Sequence, residues 1–368
     1  MKMQLQSVQA LRGLAALSVM AYHYREEIDA QFSGLGSSMF NWGLTGVDLF
    51  FVLSGFVITL SVSRMNSGVA SAADFLKRRA ARLLPAYFIL LAVNFLLGGA
   101  MATFHYPDKV LNLISALTLT VAYTQHGPFY VDDGGLYGVR WTLNYEFLFY
   151  LLMSVSLLTR WRWAALAVLL TTLLIVVPVA SGQNLTLNTA GYDFPHGYLN
   201  LMSNPIIWEF AAGVVTGLLW PHMRKLPVAA RIPMLVAGIL LAVIQIVLNR
   251  HVGHGLTESG TVLALLLAAV AFNDDWLARI TPGWLVFIGD ISFSLYLLHM
   301  VTMRVVKKNL PVEGVMLFIT AMIASVFLAW LSRRYVEPLG QKLFMRGATS
   351  RSPSDSKEMS RRTEARNI

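Results

Sequence analysis

Apolar residues in this chain fall into long runs. Ten of these are long enough, or nearly so, to cross a bilayer: about residues 8–24, 43–62, 83–101, 143–159, 163–180, 204–220, 232–249, 260–272, 284–304 and 313–332. Roughly 20 helical residues cross the hydrocarbon core. The pattern therefore predicts an all-α polytopic membrane helical bundle of about ten transmembrane helices. The run 260–272 is short and extends backward through Thr257. A further apolar segment, 110–125, is diluted by Asn112, Thr118 and Thr120, and is read as re-entrant or lateral.

Charge decides that last reading. With ten spans and both termini cytoplasmic, 22 of the 29 Lys and Arg fall on the cytoplasmic side. Counting 110–125 as a span would move Arg160, Arg162 and the C-terminal tail to the outside, against the positive-inside rule. Arg160-Trp161-Arg162-Trp163 also reads as an interfacial anchor. No internal repeat is visible. Residues 1–346 are expected to form one membrane domain with no appended soluble enzyme, and 347–368 a basic, disordered cytoplasmic tail.

Composition sharpens this picture. The chain of 368 residues is 56% hydrophobic and only 13% charged, with mean hydropathy +0.57; soluble domains average about 25% charged residues. The first apolar run carries Arg12 and His23 and reads as a retained span, not a cleaved signal. The net charge of +9 resides in two segments, Arg64–Arg82 and Arg333–Ile368, which contribute +4 and +5. Such clusters fix orientation and touch anionic membrane lipid, so no nucleic-acid partner is expected. Cysteine is absent, which excludes disulfides, thiolate catalysis and Cys-based metal sites. Acyl or phosphoryl chemistry then falls to His, Ser, Asp, Glu or Lys.

Charged and titratable residues inside apolar runs are costly and mark functional sites by default. Arg12 and His23 stand eleven residues apart in one run, roughly 16 Å along a helix. One can work near one interface while the other works deeper or near the opposite side. The ten-span reading places His23, Asp48, Glu146 and His299 at similar, outer depth on four helices, where they are expected to form a proton-handling cluster. Structural roles compete: interfacial solvation for His23, helix N-terminal capping for Asp48 and Glu146, and a bundle hydrogen bond for His299. At the opposite face, Arg79 and Arg82 are three apart and share one helical side. They serve either as a positive-inside anchor or as a planar, bidentate seat for a phosphate-bearing ligand. His251-x-x-His254 with Glu258 is read as a solvated outer loop rather than a metal site, and no metal is expected. Glu337-Pro338 ends the last span beside Arg333-Arg334, a ready ion pair.

Taken in order, these blocks resemble the membrane acyltransferase-3 family of bacterial inner-membrane carbohydrate O-acyltransferases. The matching pieces are Arg12-x10-His23, the run Gly46-Val47-Asp48-Leu49-Phe50-Phe51-Val52-Leu53-Ser54-Gly55-Phe56, Arg79-x-x-Arg82, Trp141-x-Leu143-x-x-Glu146, Ile288-Gly289-Asp290-Ile291-Ser292-Phe293-Ser294-Leu295-Tyr296-Leu297-Leu298-His299, and Glu337-Pro338. They run from about residue 5 to 340.

The resemblance implies that no cofactor is bound, that acyl-CoA, usually acetyl-CoA, is the co-substrate, and that a hydroxyl of an extracytoplasmic saccharide or glycolipid is the acceptor. It implies that His23 is the catalytic histidine and that Arg12, Arg79 and Arg82 attend the donor. Asp48 or Glu146 is expected to hold His23 in one tautomer, with Trp141, Ser292, Ser294, Tyr296 and His299 in support. General-base transfer and an acyl-histidine relay both remain open. The alternative from another class is a transporter or flippase for a lipid-linked glycan. The absence of repeated halves speaks against it.

Overall fold

The computed structural model describes residues 5–97, 103–131, 138–339 and 342; the expected tail, 347–368, lies outside them. Among the described residues the chain is helical, with no strand. The main elements are α1 (Gln6–Gln31), α2 (Leu35–Phe40), α3 (Gly46–Val62), α4 (Val69–Leu97) and α5 (Pro107–Thr118). There follow α6 (Trp141–Ser156), α7 (Arg162–Ala180), α8 (Gly197–Ser203), α9 (Ile207–Met223) and α10 (Val228–Leu248). The chain continues through α11 (Thr261–Phe272), α12 (Asp274–Leu277), α13 (Gly283–Asn309) and α14 (Gly314–Leu331).

Among the described residues, each of the ten expected runs falls largely within helix. Among the same residues, seven helices are long and apolar enough to cross a membrane on length and composition alone: Leu35–Val62, α4, α7, Gly197–Met223, α10, α13 and Gly314–Leu339. The other three expected spans fall outside that group. α6 has 16 residues, Leu256–Phe272 is a shorter apolar helix, and α1 is diluted by Gln6, Ser7, Gln9, Arg12 and Ser18.

The segment 110–125, expected to be re-entrant or lateral, overlaps α5, whose 12 residues span about 18 Å, too short for a bilayer core. α5 buries Asn112, Ser115 and Ala116 against the bundle and exposes Leu111, Ile114 and Leu117. It has the one-sided pattern of a helix lying along a surface.

Two close helix crossings set the site. α1 packs along α13, where a Cβ on Gly289 would come within 2.0 Å of the Gln9 carbonyl oxygen. α3 packs along α9, where a Cβ on Gly213 would come within 2.0 Å of the Val52 carbonyl oxygen. Only glycine allows backbones so near. The first crossing aligns Arg12 and His23 with the polar residues of α13, and the second brings Asp48 beside α9. Apolar side chains fill the space between the helices, with Met20, Tyr24, Phe51, Phe149 and Leu295 almost fully buried.

Candidate active site

A cavity of about 870 Å³, including the space at its mouth, opens among α1, α3, α4, α6 and α13. Arg12, Arg79 and Arg82 all line it. The arginines expected to share a ligand are therefore gathered by three-dimensional packing from α1 and α4. Arg79 lies over the rings of Phe75 and Tyr150, 5.5 and 5.7 Å from their centroids. Arg12 reaches Gln9 Oε1 at 3.4 Å, and Gln9 in turn donates to Asp290 at 3.0 Å. By contrast, Arg78 points away and pairs with exposed Asp74 one turn earlier.

Glu146 corrects one expectation. The apolar pattern puts it at the depth of His23, yet it lines the arginine cavity and accepts a hydrogen bond from Tyr150. α6 begins at Trp141, so Glu146 sits about 7.5 Å into the helix. A carboxylate within a bundle gains most beside cations, and Arg12, Arg79 and Arg82 supply them. Tyr150 was not singled out from the sequence, though its i+4 spacing from Glu146 was a usable signal.

His23 lies at the other end of α1's polar pair. Its Nδ1 is 2.8 Å from the Val19 carbonyl oxygen. A carbonyl only accepts, so Nδ1 carries the hydrogen and Nε2 the lone pair. Neither Asp48 nor Glu146 orients this ring; the helix backbone does. The neighbouring ring is His299, with centroids 4.9 Å apart. Buried His299 places Nδ1 2.6 Å from the Tyr296 carbonyl oxygen, which fixes the same tautomer, and its Nε2 has no partner in the protein.

Ser292, Tyr296 and His299 stand at i, i+4 and i+7 on α13, forming one polar stripe. Ser292 and Tyr296 line the arginine cavity, and the Tyr296 ring lies 5.8 Å from that of His299. Tyr296 therefore connects the cavity wall with the histidine pair. The Thr142 hydroxyl donates to the Tyr296 hydroxyl at 2.9 Å. Ser294, two residues from Ser292, is turned by about 200° around the helix and does not line the cavity. It lies 2.8 Å from Glu337 Oε1 and 2.9 Å from Ser332 Oγ. Arg333 pairs with the second Glu337 oxygen at 2.9 Å, so the Glu337-Pro338 motif and Ser294 form a brace between helices.

Asp48 belongs to a separate polar centre. It is fully buried, 2.8 Å from His254 Nδ1, and accepts the Gly255 N–H at 3.0 Å. Gly255 lies at 3.0 Å from Glu209 Oε1 as well, so two fully buried carboxyl groups flank one amide. Gly255 has φ of +104°, a backbone state that favours glycine. Trp141 packs its ring 5.5 Å from His254, which keeps this residue of the expected support set beside Asp48 rather than His23.

The sequence pattern predicts a solvated loop for His254, but it is largely buried, while His251 faces Glu258 at 3.6 Å. Among the described residues no group of three or more His, Asp or Glu is arranged to hold a metal ion. Glu209 was missed altogether. Its signal was a lone carboxylate in the apolar run 204–220, which is costly enough to flag.

Comparison with known proteins adds a consistent picture. A family profile described as an acyltransferase domain (Acyl_transf_3) matches residues 5–334. The exopolysaccharide production protein ExoZ of Rhizobium meliloti is 29% identical over 280 residues, covering 73% of this chain and 79% of ExoZ. Nodulation protein 10 of Rhizobium leguminosarum bv. viciae is 29% identical over 359 residues, covering 90% of this chain and 92% of that protein. The peptidoglycan O-acetyltransferase OatA of Listeria monocytogenes is 26% identical over 358 residues; these cover 90% of this chain and 55% of OatA. No solved structure matches.

Proposed function

The chain belongs to the acyltransferase-3 family and is an acyltransferase, and from that premise we propose that it moves an acetyl group from cytosolic acyl-CoA to a saccharide hydroxyl outside the membrane. The protein works as a multi-pass enzyme of a bacterial inner membrane. The observation that carries the reading is Tyr296, which lines the arginine cavity while its ring stands 5.8 Å from His299, the neighbour of His23; neither histidine itself lines the cavity. Arg12, Arg79 and Arg82 seat the donor's phosphates through planar, charge-assisted hydrogen bonds. The thin acyl-pantetheine arm then reaches along the polar stripe of α13 toward the histidines. Glu146 and Tyr150 hold the arginine cluster in shape, and the Asp48–Glu209–His254 centre fastens the segment around Gly255 to the helices.

The acceptor hydroxyl approaches His23 from the other side. His23 Nε2 takes its proton while the oxygen attacks the thioester carbonyl. The C–S bond breaks as the new ester forms, and the departing CoA sulfur receives a proton. A neutral imidazole suits this general-base role. The substrate class finds support in the relatives, one named for exopolysaccharide production and another as a peptidoglycan O-acetyltransferase.

The test is reconstitution of purified protein in proteoliposomes, with radiolabelled acetyl-CoA on the cytoplasmic face and a panel of glycans on the other. Label is expected on glycan as a base-labile ester. Glycan crossing the bilayer without label would favour transport and overturn the reading. Label trapped on His23 when acceptor is withheld would replace general-base transfer by an acyl-histidine relay.

A further inference from the structure

The wall of the cavity between the arginines and Tyr296 is mostly apolar, with Phe50, Leu53, Val57 and Leu143 among its side chains. The hydroxyls on this wall are not equivalent. Tyr150 bonds Glu146, and Thr142 bonds both Tyr296 and the Val139 carbonyl. Ser292 differs. It has no exposed surface, it lines the cavity, and its Oγ has no hydrogen-bond partner in the protein. Leaving a buried hydroxyl unpaired is unfavourable, because the desolvation of the group is not repaid. An apolar residue of similar size, such as alanine, would avoid that cost, so the hydroxyl points to a ligand that supplies the missing partner.

Position narrows the ligand's chemistry. Ser292 is one turn before Tyr296 and two turns before His299, about 10 Å along α13 from the second histidine. A donor whose phosphates rest on Arg79 and Arg82, and whose thioester faces the histidines, must thread its pantetheine arm past this point. That arm carries two amide groups, and an amide carbonyl is the acceptor that a serine O–H can satisfy in an apolar channel. Resting on the donor reading of the cavity, we infer that Ser292 donates a hydrogen bond to an amide carbonyl of the pantetheine arm, fixing how far the arm advances. It is a donor-positioning residue, separate from the phosphate seat and from the histidines.

Two ligands separate these contacts: free CoA, which has the arm, and adenosine 3′,5′-bisphosphate, which has phosphates but no arm. Binding of each is measured by titration calorimetry on the wild-type protein in nanodiscs and on Ser292→Ala, Ser292→Thr and Arg79→Lys. Ser292→Ala is expected to weaken CoA binding about five- to tenfold, the loss of one hydrogen bond, with adenosine 3′,5′-bisphosphate unchanged. Ser292→Thr keeps the hydroxyl and is expected to retain CoA affinity, while Arg79→Lys weakens both ligands. Equal affinity of wild type and Ser292→Ala for CoA would overturn the assignment, as would equal losses for both ligands. If Ser292→Ala proves poorly folded, CoA affinity lost in well-folded Ser292→Cys but kept in Ser292→Thr supports it, and CoA affinity kept in Ser292→Cys overturns it. Failure of wild type to bind either ligand would instead remove the donor reading on which the inference rests.

Discussion

Two buried polar regions of this protein use similar ingredients in opposite ways. In the arginine cavity, Arg12, Arg79 and Arg82 face an open volume with one carboxylate, Glu146, among them. In the second region, Asp48 and Glu209 are closed off completely, and their contacts to Gly255 and His254 are made within the protein. A cluster that exposes cations to a cavity leaves interaction energy for a ligand, whereas one that directs its bonds inward spends it on holding the fold together. Under the proposed function, the contrast separates a donor seat from a structural fastening, although both consist of charged residues in apolar helices.

The comparison can be broken at several points. The largest effect is expected from His23→Ala, which removes the proposed base and lowers turnover about 10²–10⁴-fold. Melting temperature and CoA affinity stay near wild type; undiminished turnover would take His23 out of the reaction. Next comes Asp48→Ala, which strips His254 of its acceptor inside the bundle. It is expected to cost about 3 kcal/mol of stability, read as a lower midpoint in thermal unfolding, while folded protein binds CoA normally. A loss of CoA affinity without a loss of stability would merge the two regions into one site.

Gly289→Ala tests what aligns the donor seat with the histidines. Its new Cβ would fall 2.0 Å from a backbone oxygen of α1, so α1 and α13 must separate, at about 1–3 kcal/mol. Turnover and melting temperature are both expected to drop, because Arg12 and His23 ride together on α1. An unchanged melting curve would show that the crossing is looser than the geometry implies. The smallest effect is expected from replacing Arg79 and Arg82 together by Lys. Charge and insertion are kept while the planar fork is lost, so CoA affinity is expected to fall about tenfold. Wild-type affinity is also expected to decline as salt rises. Unaltered CoA binding in the double variant would reduce the pair to an anchor for α4.

Much of this was legible one residue type at a time. The runs located the long helices, though not the short α2, α8 and α12, because an apolar stretch of span length has few alternatives to helix. The i+3 spacing of Arg79 and Arg82, and the i, i+4, i+7 spacing of Ser292, Tyr296 and His299, announced shared faces. The pairings went astray where they depended on depth and rotation together. Run position alone puts Glu146 at the height of His23, yet its helical face turns it toward the arginines. The pattern around His254 predicts a solvated side chain, yet the chain folds back to lay it on Asp48, 206 residues earlier in sequence.

The sequence by itself determined the helices, their membrane character, and which side chains share one helical face. Those follow from a 3.6-residue repeat and the cost of burying charge, both local to the chain. Only the tertiary structure decided which face meets which: that Glu146 joins the arginines, that His23 takes its tautomer from Val19 and its neighbour from His299, and that Asp48 finds Glu209 and His254. Those choices rest on where two helices can approach closely, at Gly289 and Gly213, and that approach is a property of pairs of surfaces far apart in the chain.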